Sequence, residues 1–446
     1  MRFVGILLVI LALPALVVWL QGHPKRWQHA ALAVGLAPFA IGLLNLDASL
    51  ISWAMWPGHS RGLTITILDS LALAILIATR RRIGTPPFTV LLGLYAGSAM
   101  LSVAFSNVPM GSVFYAFQTI RILVFYLAVT IVLQDRKNWD WICYGLAWGA
   151  ILQAGFTISQ KLQGSLQATG TMGHQNLLGM MLHFVTIPLF ARILAGDRNK
   201  IVLSGFFSGL LAASLTASRG TLGFLALGIV LLAVMSLVRK STALKWRAIG
   251  LGVFAAVLFV PLAMSGLSER FETLGEEGYD ERAALEKAAT LMWDDHPMGV
   301  GANQYVVTAN ADGYSSAAGV APVFGSRSAH VHNIYLLNAA EMGWLGLLTF
   351  SLILVAAIYR GLRQAFRSGD EGTADMVLGA TAAILTMSIH GFYEWIIIYD
   401  STQYLFAISL AMIAVSITNS RRQAEFSDLD TQSPVRFDPI IEQVVR

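Results

Sequence analysis

His330 and His332 stand two residues apart, where a polar stretch of the chain gives way to an apolar one. An imidazole that titrates near neutral pH can take a proton from an attacking hydroxyl. Several cations occupy places where a cation is costly. Arg219 lies between two apolar runs that leave no room for a loop. Arg282 falls in the first turn of a helical segment, where the helix N-terminus disfavours it unless an anion is near. Arg121 follows Gln118 by one turn inside an apolar run, and Lys161 and His174 border the connection 160–175. Guanidinium groups hold phosphate oxygens in bidentate geometry and offset charge on a departing pyrophosphate. This set therefore suits a lipid-linked anion, of which a polyprenyl pyrophosphate is one activated example.

Other readings of the same residues stay open. Arg219 could snorkel to lipid headgroups, Arg121 could pair with a buried carboxylate for packing, and Arg282 could pair with Glu286 one turn on. Trp53, Trp56, Trp344 and Trp395 fit an aromatic belt at a membrane interface. The residues alone also do not separate a transferase from an exporter or permease of an anionic lipid or sugar. Metal chemistry is not expected, because no HExxH or cysteine cluster occurs and Cys143 is the only cysteine. No phosphate-binding glycine loop or dinucleotide fingerprint occurs either. Neither nucleotide, cofactor nor nucleic acid is expected, and the substrate must bring its own activation.

The elements that must position these residues are membrane helices. The chain has 446 residues, of which 56% are hydrophobic and 13% charged, with a mean hydropathy of +0.63. A soluble domain carries about 25% charged residues, so a water-soluble globule is excluded. A disordered chain and a disulfide scaffold are excluded by the same numbers. Thirteen apolar runs approach the roughly 20 residues needed to cross a bilayer. They lie near 3–20, 30–46, 63–79, 88–105, 113–133, 141–159, 176–195, 201–217, 220–238, 246–264, 333–358, 376–392 and 400–418. Pro38 and Asn45 interrupt the second, so twelve spans is the alternative. Gln-Gly-His-Pro-Lys-Arg follows the first run in place of a small-residue cleavage site, so that run reads as a retained helix.

Alternate connections are basic. One set holds Lys25 and Arg26, Arg80 to Arg82, Arg136 and Lys137, Arg192 to Lys200, Arg239 to Arg247, Arg360 to Arg367, and Arg421 and Arg422. The short connections of the other set hold only Arg61, Lys161 and Arg219. The positive-inside rule puts the first set in the cytoplasm. The expected organisation is a transmembrane bundle over 1–264, an outer loop over 265–332, further membrane helices over 333–418, and a disordered cytoplasmic tail over 419–446. Within the loop, 280–296 reads as a helix capped by Asp280 and ended by Pro297, with Leu285, Ala288, Ala289 and Met292 on one apolar face. The segment 302–329 reads as an irregular, partly mobile loop.

Four stretches together resemble the O-antigen ligase and polymerase superfamily of bacterial envelope enzymes. TGTMGHQNLLGMML at 169–182 is similar to that family's entry into a span, and SLTASRGTLGFLALG at 214–228 to its Ser-Arg-Gly segment. ERAALEKAATLMWDDHPMGVGANQY at 281–305 is similar to its arginine-bearing amphipathic helix with a following Pro-x-Gly-x-Gly. HVHNIYLLNAAEMGWLG at 330–346 resembles its His-Asn-x-x-Leu signature with a later Glu. The resemblance implies an all-α, GT-C-like membrane glycosyltransferase of the bacterial inner membrane, its site facing the periplasm. Such an enzyme is metal-independent and inverting, and takes a glycan from undecaprenyl pyrophosphate. It implies His332 as the catalytic residue, with Arg219 and Arg282 binding pyrophosphate. Arg121 and Lys161 join them from position alone. His330, Asn333, His174 and Glu341 are expected to support the site. The family holds ligases, chain polymerases and protein O-oligosaccharyltransferases. The short C-terminal tail argues against the last, and the length and single large loop favour a ligase acting on lipid A–core.

Overall fold

The computed structural model describes residues 2–79, 84–274 and 278–432, with side chains described for 11–79, 84–268 and 281–423. The expected arginine run 80–82 and the last part of the tail lie outside those residues, and Asp280, expected to cap a helix, falls instead inside one that begins at Gly278. Ten helices come first: α1 (Arg2–Gly22), α2 (Lys25–Leu44), α3 (Ile67–Ala78), α4 (Thr89–Ser102), α5 (Pro109–Val132), α6 (Lys137–Leu162), α7 (Gln175–Leu194), α8 (Lys200–Leu215), α9 (Arg219–Arg239) and α10 (Ala243–Leu274). The segment between the two groups of long helices holds α11 (Gly278–Asp295) and three short helices, α12 (Tyr305–Ala311), α13 (Tyr314–Ala318) and α14 (Phe324–Arg327). The chain closes with α15 (Ile334–Arg367), α16 (Glu371–His390) and α17 (Asp400–Gln432). The protein is an all-α polytopic membrane protein. Nine of the described helices are long and apolar enough to cross a membrane, namely α2, α5, α6, α7, α9, α10, α15, α16 and α17. Shorter apolar helices, α3, α4 and α8 among them, account for the remaining apolar runs.

Packing follows helix by helix. α7 is enclosed along nearly its whole length, and α16 and α17 are largely buried beside it. Gly35 of α2 and Gly145 of α6 let two backbones touch. A Cβ on Gly35 would meet the Ile142 carbonyl oxygen at 2.3 Å, and one on Gly145 the Leu32 carbonyl oxygen at 2.2 Å. Small residues at a crossing give membrane helices close van der Waals contact where no hydrophobic force separates them from lipid. α9 and α10 instead turn Val230, Val234, Phe254 and Val257 outward. An apolar outer face of this kind is solvated by acyl chains.

Three local features depart from the sequence reading. Residues around 47–66 form an antiparallel hairpin of β1 (Asp47–Ser52) and β2 (Gly62–Thr66), with Asp47 opposite Thr66 and a bulge after Ser49. Its five- and six-residue strands are too short to stand out beside the neighbouring apolar runs. The outer segment 302–329 is not irregular throughout, because α12, α13 and α14 form there and the first two fold against α11. Leu285 and Ala288 of α11 pack there with Ala318 and Val320. The tail is not irregular from 419, because α17 continues to Gln432.

The long helices share two ends. The C-terminal ends of α5, α7, α15 and α17 meet the N-terminal ends of α6 and α16 around a crevice of about 1320 Å³ lined by Arg136, Arg192, Arg367 and Arg422. Arg192 is held there by Asp140 and Asp197, and Arg136 bridges to Asp370 at 2.6 Å. The opposite ends of α7, α9, α15, α16 and α17 carry His174, Arg219, Asn333, His390 and Asp400.

Candidate active site

Asn333 caps α15. Its side-chain oxygen accepts from the backbone N–H groups of Tyr335 at 3.0 Å and Leu336 at 3.2 Å. Satisfying these otherwise orphaned donors fixes where the helix begins, and so holds His332 just outside it. The Ile334 N–H donates to the Gly391 carbonyl at 2.9 Å. That bond draws the connection between α16 and α17 alongside, and Glu394 with it.

Glu394 is the hub. Its side chain is 4% exposed, and a buried carboxylate needs partners. His332 Nδ1 lies 3.3 Å from Glu394 Oε2. The Arg282 guanidinium donates to Oε1 at 3.4 Å, and the Asn176 amide to the same oxygen at 2.7 Å. The Ser218 hydroxyl donates to Asn176 Oδ1 at 2.9 Å. Ser218 also caps α9, accepting from the Thr221 N–H at 3.3 Å. Arg219 is the next residue and is exposed at this end of the helix. One carboxylate thus gathers α7, α9, α11 and the start of α15. The Glu394 contact places a proton on Nδ1 of His332, and in the neutral form of that ring Nε2 is the acceptor. Arg282 takes its acid from Glu394, 112 residues away, rather than from Glu286 on its own helix.

A cavity of about 510 Å³ opens beside this cluster, lined in part by His332, His174, Glu394, His330, His59 and Arg61. His174 caps α7 through Nδ1, which accepts from the Asn176 N–H at 3.2 Å. His330 is buried and stacks on Trp395, with ring centroids 4.1 Å apart. Burial, then the neighbouring His332 and Arg61, push its pKa down to about 3. His330 is therefore a neutral wall of the cavity.

The β1–β2 loop reaches the cavity through a relay that starts at Glu341. This buried carboxylate of α15 accepts from the backbone N–H groups of Asn303 at 2.8 Å and Tyr305 at 3.0 Å. Asn303 in turn accepts from the Ser60 N–H at 3.1 Å and donates to the Ser60 carbonyl at 2.7 Å. His59 and Arg61 flank Ser60. Gly343 completes the docking of 297–305 onto α15. Its φ of +61° breaks the helix, and a Cβ there would meet the Pro297 oxygen at 2.4 Å.

Two of the cations expected at the site lie apart from it. Arg121 is buried in α5 and bound to Asp69, with Nε–Oδ2 at 2.8 Å, and to the Tyr404 hydroxyl at 2.6 Å. Those bonds are the packing pair left open by the sequence. Lys161 donates to the Leu166 carbonyl at 2.8 Å near the end of α6. Neither lines the cavity. The residues missed were Glu394, Asn176, Ser218, His59 and Arg61. In the sequence Glu394 is one acid between two apolar runs, and Asn176 is part of the 169–182 motif.

Residues 204–351 match the family model described as O-antigen ligase. That stretch, a third of the chain, is similar to O-antigen ligases. The match covers Ser218, Arg219, Arg282, His332 and Asn333, whereas Asn176 and Glu394 lie outside it. With the apolar helices, that similarity indicates a membrane enzyme of O-antigen ligase or polymerase type. No curated protein matches the chain.

Proposed function

We propose that this protein is an O-antigen ligase that moves O-antigen polysaccharide from undecaprenyl pyrophosphate to lipid A–core, at the periplasmic face of the bacterial inner membrane. The convergence of His332, Arg282 and the Ser218–Arg219 helix start on Glu394 carries the reading. The basic residues at the far ends of the same helices support the sidedness, since they belong in the cytoplasm.

In the proposed step the donor's lipid tail lies against the bundle, and its pyrophosphate meets Arg219 and Arg282. The acceptor hydroxyl gives its proton to His332 Nε2 as its oxygen attacks the anomeric carbon. The new C–O bond forms as the bond from that carbon to pyrophosphate breaks, and the lipid pyrophosphate leaves with the electron pair. Attack opposite the leaving group inverts the anomeric centre. Glu394 holds the imidazole in its Nδ1–H tautomer and offsets the charge of the imidazolium. The arginines stabilise the charge gathering on the leaving group. No metal enters this scheme.

The experiment is reconstitution of the purified protein in detergent with glycan-loaded undecaprenyl pyrophosphate and lipid A–core. A single glycan block joined to lipid A–core is the expected product. Lengthening of the lipid-linked glycan with the lipid A–core left bare identifies a polymerase instead. No covalent product from either substrate refutes the transferase reading.

A further inference from the structure

His332 and Ala329 line two hollows. One is the cavity of about 510 Å³ described above. The other, of about 370 Å³, contains Arg282 and lies against α11 and the α14 region. A single imidazole between two hollows fits a reaction with two substrates. If the proposed function is right, the Arg282 side takes the pyrophosphate, and the larger cavity is left for the acceptor.

Its walls suit a sugar. Trp395 and Tyr399 are 5.4 Å apart between ring centroids, and His330 stacks on Trp395 at an interplanar angle of 19°. His59 meets His330 edge-on at 5.7 Å. Stacked rings accept the apolar C–H face of a pyranose, while imidazole nitrogens bond its hydroxyls. Both ring nitrogens of His59 and Nε2 of His330 are buried without a hydrogen-bond partner among the described residues. Buried polar atoms without partners are rare and call for one. Arg61 adds a charge at the same cavity, exposed and with no acidic partner among the described ion pairs. The volume lies within the range of about 300–1,000 Å³ typical of small-molecule sites.

We infer that this cavity is the acceptor subsite, and that it takes a saccharide bearing an anionic group, which Arg61 pairs while the aromatic wall carries the ring. This rests on the proposed transfer reaction for the assignment of sides, but not for the binding itself. The β1–β2 loop then selects the acceptor, and the relay from Glu341 through Asn303 to Ser60 is what positions it.

The test is equilibrium binding, which needs no turnover. Core oligosaccharide freed from lipid A is titrated into the detergent-purified full chain, before and after removal of its phosphates, with Trp fluorescence as readout. Thermal stabilisation by undecaprenyl pyrophosphate is measured in parallel. Arg61→Gln is expected to weaken the phosphorylated saccharide at least tenfold and to leave the dephosphorylated one and undecaprenyl pyrophosphate within twofold of wild type. Arg282→Gln is expected to weaken undecaprenyl pyrophosphate at least tenfold and to leave both saccharides within twofold of wild type. Trp395→Leu should weaken both saccharides. The inference is overturned if wild type binds neither saccharide. It is equally overturned if Arg61→Gln binds the phosphorylated one as wild type does, or loses undecaprenyl pyrophosphate instead. A failure of transfer in the reconstituted reaction refutes the proposed chemistry and leaves this binding comparison able to decide.

Discussion

An imidazole bonded to a buried acid is a small device with strong demands on its partner. Replacing Glu394 by Gln keeps the shape but removes the charge that balances an imidazolium. Glu394→Gln should lower kcat by about a hundredfold or more, the scale of a general base's contribution, with little change in the KM for donor. Steady-state transfer kinetics check this, and an unchanged kcat would remove Glu394 from the proton path. Arg282→Ala and Arg219→Ala should each lose about tenfold or more in kcat/KM, since a charge-assisted hydrogen bond is worth about 1.5–3 kcal/mol. His330 gives a pH signature. Its pKa falls from 6.5 to about 3 on folding, so the unfolded chain binds a proton over that interval that the folded one refuses. Stability is then full above about 6.5 and drains as pH falls toward 3. Thermal unfolding in detergent should show Tm dropping between pH 7 and pH 5, with a shallower slope in His330→Gln. At this scale the sequence exposed His332, Arg282 and Arg219, whose positions are costly enough to be noticed in one dimension. It hid Glu394, because a carboxylate 62 residues from its histidine is defined as a partner only by the packing of α15 against α16.

The elements explain why some conspicuous residues stand away from the chemistry. Arg121 was visible as a cation inside an apolar run, and its answer is Asp69 on α3 with Tyr404 on α17. Taking one member from a buried pair leaves an unpaired charge, at a cost of about 3–5 kcal/mol. Arg121→Leu should therefore lower the midpoint of detergent unfolding sharply, and the double change with Asp69→Leu should recover most of it. A second element-level prediction concerns Gly343. Alanine there puts a Cβ at 2.4 Å from backbone atoms of Pro297 and Met298, in a region of φ and ψ reserved for glycine. Gly343→Ala should cost about 1–3 kcal/mol and undock 297–305, so transfer should fall along with stability. The four-residue rhythm of Leu285, Ala288, Ala289 and Met292 did translate directly, since these are the side chains α11 buries. The hairpin did not, because two short strands next to a membrane helix carry too few residues for their alternation to register. Its contribution to the cavity rests on contacts with Asn303, some 240 residues on, that no local pattern encodes.

Over the whole molecule, the helices place a basic crevice at one end and the histidine cluster at the other. The alternation of charged connections already contained that polarity, because topology is written in short loops that can be read one at a time. The sequence could not show that the two ends belong to one compact bundle with α7 at its centre. Cys143 is the only cysteine and is fully buried, so introduced thiols report sidedness cleanly. Phe324→Cys, at an exposed position of α14, should react with a membrane-impermeant maleimide in intact spheroplasts. Ser420→Cys, beside the crevice, should react only after permeabilisation. Reversal of that pattern would put the site in the cytoplasm and end the proposed periplasmic reaction. The central claim is that the His332 imidazole, held by Glu394, performs the transfer. Its most direct test is single-turnover transfer by purified His332→Ala with glycan-loaded undecaprenyl pyrophosphate and lipid A–core. The account predicts a rate lowered by about 10²–10⁴ while Tm and undecaprenyl pyrophosphate binding stay at wild-type values, and transfer at the wild-type rate would contradict it.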